Sequence, residues 1–226
     1  MLQISLYVEE SFYSVCSALT LAQLSYKVIV DKDIQSLSLA NKARTIIMMD
    51  IGMISETEAE VIRQFVKDGG TLFASAETSL YDENRIRRGD FALADLFGCS
   101  YSGPITDEGK LVIKEKYVAL GNMTGEIDLP DEFCAVKTND SVKTLGSIRL
   151  ADGSKHPGLL LNNYGKGTVF YFAGHPERSL AISGKGWSSF GRGKLPPILP
   201  GQVWTDRRDP LMVRLFCNIL KTWVNA

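Results

Sequence analysis

The sequence predicts an α/β protein with a mostly parallel sheet flanked by helices and an antiparallel β meander in its C-terminal half. Three observations carry this expectation. In the first half of the chain, β-rich segments alternate with amphipathic helices, which calls for right-handed crossovers between parallel strands. Beyond Lys143, short apolar segments follow one another with only turn residues between them, as antiparallel neighbours do. Between the two halves, from Ser55 to Gly98, lie a helix, a double glycine, a buried strand, a polar elbow and a second short helix. In an open α/β sheet, ligands collect at the carboxyl ends of strands, so a pocket is expected beside Glu77, Thr78 and Ser79.

The elements follow in order. Residues 2–8 read as a first strand because Ile4, Leu6 and Val8 alternate with more polar neighbours. Residues 9–25 read as a helix, with Phe12, Val15, Cys16, Leu19 and Ala22 at helical spacing. Strands are expected at 27–30, ending in Asp31, and at 45–49, ending in Asp50. Ser55 with Glu58 forms a capping box, so a helix starts near Glu56, and Ile62, Phe65 and Val66 share its apolar face. Gly69 and Gly70 end it, and residues 71–76 form a buried strand. Residues 90–97 read as a short helix stopped by Gly98. From 100 to 139 no period is sustained, and only isolated apolar pairs such as Leu111 with Ile113 stand out.

Strands at 143–150, 158–162 and 168–173 are separated by turns at Ala151, Asp152 and Gly153 and at Tyr164, Gly165, Lys166 and Gly167. Residues 183–201, rich in glycine, serine and basic residues, read as a long loop. Asp209 as cap and Pro210 as first helical residue open a last helix. Its apolar face, from Leu211 through Leu215, Phe216 and Ile219 to Trp223, should dock across the sheet. The whole of 1–226 is expected to form a single domain.

The bulk properties exclude several classes. With 226 residues, 45% hydrophobic and 23% charged, the composition is that of an ordinary globular protein. A formal net charge of −1 gives no reason to expect nucleic acid or an anionic membrane as partner. No apolar run is long enough to span a bilayer and no basic leader precedes the first apolar segment, so a cytoplasmic location is expected. Cys16, Cys99, Cys134 and Cys217 are scattered in apolar contexts and read as buried reduced thiols. His156 and His175 are the only histidines, so neither a metal site nor a cofactor is expected.

One constellation stands out chemically. His175 and Glu177 follow the strand at 168–173, where a base and its orienting acid would sit in a nucleophilic triad. The segment FAGHPE resembles the His-Pro-Glu segment of class I glutamine amidotransferases, and the order of elements is similar to theirs and to other flavodoxin-like sheets. That resemblance implies a cysteine near Glu77, where the sequence has Ala76, Glu77, Thr78 and Ser79 instead. Without a thiolate the amidotransferase mechanism is lost.

A second resemblance covers more of the chain. The run FVKDGGTLFASAETSLYDENRIRRGDFALADLFG resembles the trimerisation domain of β-galactosidases of glycoside hydrolase family 42. Gly69, Gly70, Thr78, Ser79, Leu80, Tyr81, Asp82, Glu83, Arg87, Arg88, Asp90, Phe91 and the run from Leu93 to Gly98 carry the match. The resemblance implies a non-catalytic accessory domain, a homo-oligomer with a trimer favoured, and association with a catalytic barrel or a carbohydrate. A barrel needs about 200 residues or more, and the segments above already occupy the chain. The expectation is therefore a stand-alone relative or a piece of a longer enzyme.

Alternatives stay open at this point. Ser79 or Thr78 with His175 and Glu177 would make a hydrolase, and Trp187 in the 183–201 loop would suit a carbohydrate-binding module or a subunit contact. Glu77 with Glu177, or Asp82 with Glu83, would suit glycosidase chemistry only if their carboxyls lie about 5 to 10 Å apart across a cleft. Tyr81, Asp82, Arg87, Arg88 and Asp90 are ligand or interface candidates if Arg87 or Arg88 pairs with Asp82 or Asp90 and fixes the elbow, while the favoured reading is structural, a solvated loop held by mutual charge pairing.

Overall fold

A computed structural model describes residues 6–35, 43–129, 132–180 and 209–224. It shows a mixed α/β fold with few helices. Helices α1 (Leu6–Leu21) and α2 (Asp31–Gln35) precede β1 (Thr45–Met49), α3 (Glu56–Lys67) and β2 (Thr71–Ser75). The short α4 (Ala94–Phe97) leads into β3 (Cys99–Ile105), β4 (Gly109–Ile113), β5 (Gly125–Leu129) and β6 (Phe133–Thr138). Then come β7 (Lys143–Leu150), β8 (Lys155–Tyr164) and β9 (Gly167–Phe172), and α5 (Pro210–Val224) closes the described chain.

The seven-stranded sheet has the order β1-β2-β9-β8-β7-β4-β5, and β3 pairs with β6 in a separate two-stranded sheet. Only the pairings of β2 with β1 and with β9 are parallel. The pairings β9–β8, β8–β7, β7–β4 and β4–β5 are antiparallel. The expected mostly parallel sheet is therefore corrected to a mixed one. The cause is in the connections: β7, β8 and β9 are joined by tight turns, too short for the crossover a parallel pair requires.

The start of the chain also differs from expectation. Residues 6–8, read as part of a strand, belong to α1, whose Val15, Ala18 and Leu19 are buried at helical spacing. A few alternating apolar residues cannot separate the two periods when a longer helical pattern follows directly. Residues 27–30 pair with no strand among the described residues and leave Val28 and Val30 exposed. The helix expected over 90–97 shortens to α4, because the Asp90 carboxylate accepts the amides of Phe91 and Tyr101 and holds the preceding segment as a turn. In the unpatterned region, Leu111 with Ile113 and Ile127 with Leu129 are the buried faces of β4 and β5.

Elsewhere local chemistry and structure agree. Ser55 Oγ accepts the Glu58 amide at 3.3 Å while Glu58 accepts the Ser55 amide at 2.8 Å, closing the box that starts α3. Asp209 Oδ1 accepts the amides of Leu211 and Met212 at 2.7 and 3.1 Å, capping α5. Helix α5 buries Met212, Leu215, Phe216, Ile219 and Leu220, and the Phe216 ring meets Phe73 of β2 edge-on at 5.5 Å. The 183–201 loop, including Trp187, lies outside the described residues. Among the described residues no helix is long and apolar enough to cross a membrane.

The three strands β1, β2 and β9 form the part of the sheet that positions the site, and β2 and β9 are buried throughout. Their approach depends on Gly167, where a Cβ would overlap the carbonyl oxygens of Val66 and Gly70. The Gly167→Ala variant should therefore lose about 2 kcal/mol or more of unfolding free energy in a urea titration. Gly89→Ala, whose Cβ would meet open space, should be near neutral by the same measurement.

Candidate functional site

Three strand ends lie side by side. Asp50 follows β1, Ala76 follows β2, and the Gly174–Glu177 segment follows β9. Asp50 (φ 54°), Ala76 (φ 49°) and Ser79 (φ 69°) all sit in the left-handed region that non-glycine residues seldom adopt. Such strain persists only where surrounding contacts enforce it. The enforcing contacts are on β9 and in the elbow: the Tyr171 hydroxyl donates to the Ala76 carbonyl at 2.7 Å, and the Ser79 amide donates to Ile51 at 2.9 Å.

His175 is brought together with Glu177 as the sequence suggested. Its Nδ1 lies 3.0 Å from Glu177 Oε1 and 3.6 Å from Asp50 Oδ2. Glu177 is fully buried, and its other oxygen accepts from Ser75 Oγ at 3.4 Å. Ser75 Oγ in turn accepts the Asp50 amide at 3.2 Å, and Asp50 Oδ1 accepts the Glu77 amide at 3.2 Å. Burial raises the Asp50 carboxyl to about 6, aided by the charges of Glu177 and Glu77 and opposed by His175. Burial alone would lower the His175 imidazole, but the Glu177 hydrogen bond and the charges of Glu177 and Asp50 outweigh it and raise it. Asp50 and Ser75 were missed as site residues in the sequence. The usable signal was position, since Asp50 ends a predicted strand next to the one that ends before Glu77.

The other predicted residues are placed differently. Thr78 Oγ1 lies 2.6 Å from the Ser75 carbonyl and 3.1 Å from that of Met48, and it accepts the Ile51 amide at 3.2 Å. Ser79 Oγ accepts the Leu93 amide at 3.2 Å. Both side chains are fully buried and neither is hydrogen-bonded to His175. Glu77 accepts from the Tyr81 hydroxyl at 3.3 Å, and it is Asp50 that faces His175 beside Glu177. The nearby Cys134 thiol is hydrogen-bonded with Tyr171, and burial pushes it up to about 12, which makes it a poor nucleophile.

In the charged elbow the aspartates turn to main-chain amides and the arginines to other partners, so the alternative of an Arg–Asp pair is not the one formed. Asp82 Oδ1 accepts the amides of Asn84 and Ile86 at 2.9 and 2.8 Å, and Asp90 is occupied by backbone amides as described. Arg88 instead donates to the Ile54 carbonyl and pairs with Glu56, each at 3.0 Å. The Arg87 guanidinium lies over the Tyr101 ring, 4.8 Å from its centroid. Asp and Asn side chains bond readily to nearby backbone, so a tight turn takes these carboxylates before a guanidinium can. Tyr81 bridges Met53 on one side and Arg87 on the other, joining three short segments into a ribbon.

Fold and site together define a mixed α/β domain with an acid–imidazole–acid cluster at its strand ends and an alanine at the elbow. Residues 27–183 match the family described as the beta-galactosidase trimerisation domain, and the chain belongs to that family. The resemblance read from the Gly69–Gly98 motif is thus borne out. No curated protein sequence matches the chain. Among solved structures, a β-galactosidase from Rahnella sp. R3 is 18% identical with a TM-score of 0.70, covering 96% of this chain and 27% of its own. A β-galactosidase from Bacillus circulans sp. alkalophilus is 17% identical with a TM-score of 0.65, covering 77% and 25%. A protein of Salmonella typhimurium LT2 described as cytoplasmic is 16% identical with a TM-score of 0.62, covering 94% and 86%. At such identities the likeness is one of fold. The chain spans about a quarter of the length of the β-galactosidases it matches.

The roles of the elbow hydroxyls can be separated by substitution. Thr78→Val keeps the shape but takes the hydroxyl acceptor from the Ile51 amide, so it should cost about 1–3 kcal/mol in urea unfolding.

Proposed function

We propose that this chain is a non-catalytic accessory domain, amidotransferase-like in design, that assembles copies of itself, as a trimer, in support of a β-galactosidase-type glycoside hydrolase. The observation that carries the reading is the composition of the elbow. The imidazole and its acids are in place, while the strained position after β2 is occupied by Ala76, and the buried Thr78 and Ser79 hydroxyls are engaged by backbone. Membership of a family described by trimerisation supports the assembly role. We take the domain to run over 1–226 and to work in the cytoplasm, as the Salmonella neighbour is described to do.

The ribbon around Tyr81 supplies a contact surface for a second copy. Ile51, Met53 and Ile86 are exposed on it, at 39%, 51% and 64%, and Arg87, stacked on Tyr101, lies beside them. Exposed large apolar side chains grouped in this way mark interaction sites. A buried and a part-buried carboxylate around one imidazole do not by themselves make a glycosidase, which needs an acid and a nucleophile or base set apart across a sugar cleft.

Light scattering coupled to size exclusion should give three times the mass of the chain, and the double substitution Met53→Asp with Ile86→Asp should shift it toward the monomer while leaving circular dichroism unchanged. A monomeric wild type at high concentration rejects the assembly role. The isolated chain should hydrolyse o-nitrophenyl β-galactoside no faster than buffer, and Ser79→Ala should leave that result unaltered. Turnover lost in Ser79→Ala would establish the hydrolase instead.

A further inference from the structure

The cluster formed by Asp50, His175 and Glu177 is used by nothing in the assembly role. One donor atom from each residue lies within 4.8 Å of the other two, with Nδ1 of His175 at 3.0 and 3.6 Å from the nearer carboxylate oxygens. A first-row divalent cation bonds N and O donors at about 2.0–2.2 Å, so neighbouring donors in its shell stand about 3 to 4 Å apart. The spacing fits.

A second observation concerns the outer contacts. Asp50 Oδ1 is held by the Glu77 amide and Glu177 Oε2 by the Ser75 hydroxyl, so in each carboxylate one oxygen is anchored and the other is directed at Nδ1. Anchoring of this kind is what fixes metal ligands in orientation. Charge points the same way. Asp50 and Glu177 face one imidazole, with Glu77 adjoining, and among the described residues neither acid is paired with a lysine or arginine.

We infer that Asp50, His175 and Glu177 bind one divalent transition cation that clamps the ends of β1 and β9 across β2. One imidazole and two carboxylates suit zinc, cobalt or manganese better than magnesium or calcium. The cation takes the place of the hydrogen bond between His175 and Glu177. Nδ1 gives up its proton to solvent, the imidazole keeps the one on Nε2, and a fourth position is left to water. The site needs only a single histidine, which is why the scarcity of histidines in the chain does not exclude it.

The test is titration of the full chain with Co2+. The expected result is one saturable equivalent with d–d absorption, no thiolate charge-transfer band, and a raised melting temperature. Asp50→Asn keeps the Oδ1 acceptor, and it and His175→Gln should each weaken binding at least about tenfold, whereas His156→Gln should not. Electron spin-echo modulation from Cu2+ bound to wild type should show a directly coordinated imidazole, a readout that stands even if the variants fail to fold. No saturable binding, a charge-transfer band from cysteine, or binding unaltered in both variants overturns the inference. The subunit mass is measured separately, so failure here leaves the assembly role standing, and failure there leaves this site standing.

Discussion

The rest of the structure depends on how Glu177 is satisfied. A carboxylate with no exposure to water is costly unless every lone pair finds a partner, and Glu177 has two named ones, His175 and Ser75. Ser75 is the last residue of β2, so the acid after β9 reaches across to the neighbouring strand's end. Ser75 also accepts the Asp50 amide, which fixes the turn after β1. One buried side chain thereby sets the mutual register of three strand ends.

Beneath this polar layer lies an aromatic one. The Tyr171 ring stacks on Phe97 at 4.6 Å and meets Phe91 at 5.4 Å, while its hydroxyl reaches the Ala76 carbonyl. The motif that marks the family is therefore largely a packing motif: Phe91, Leu93, Leu96 and Phe97 are buried, and Gly98 takes a left-handed conformation to end α4. It says how the elbow is held against β9 rather than what the elbow does to a substrate.

How much of this was legible depended on whether the signal was local. The Ser55–Glu58 box, the Asp209–Pro210 start and β1, β2 and β7 were readable because capping and short apolar runs are decided within a few residues. The strand expected at 27–30 failed because pairing depends on a distant neighbour, which 27–30 lacks among the described residues. The antiparallel neighbours β4 and β5 were hidden for the same reason: they are half-buried, and their alternation is diluted by glycine and charge. In the site, adjacency in sequence revealed His175 with Glu177. Asp50 and Ser75 join them only through the order of strands, which composition does not encode.

The way the elbow uses its charges bears on its response to ionic strength. Asp82 and Asp90 are bonded to main-chain amides at contact range. Dissolved ions screen separated charges over about 10 Å at 0.1 M but do little to a short bond of this kind. A densely charged segment would ordinarily loosen in brine; here its outline should persist there, while the oily residues it displays adhere more strongly as water becomes scarcer.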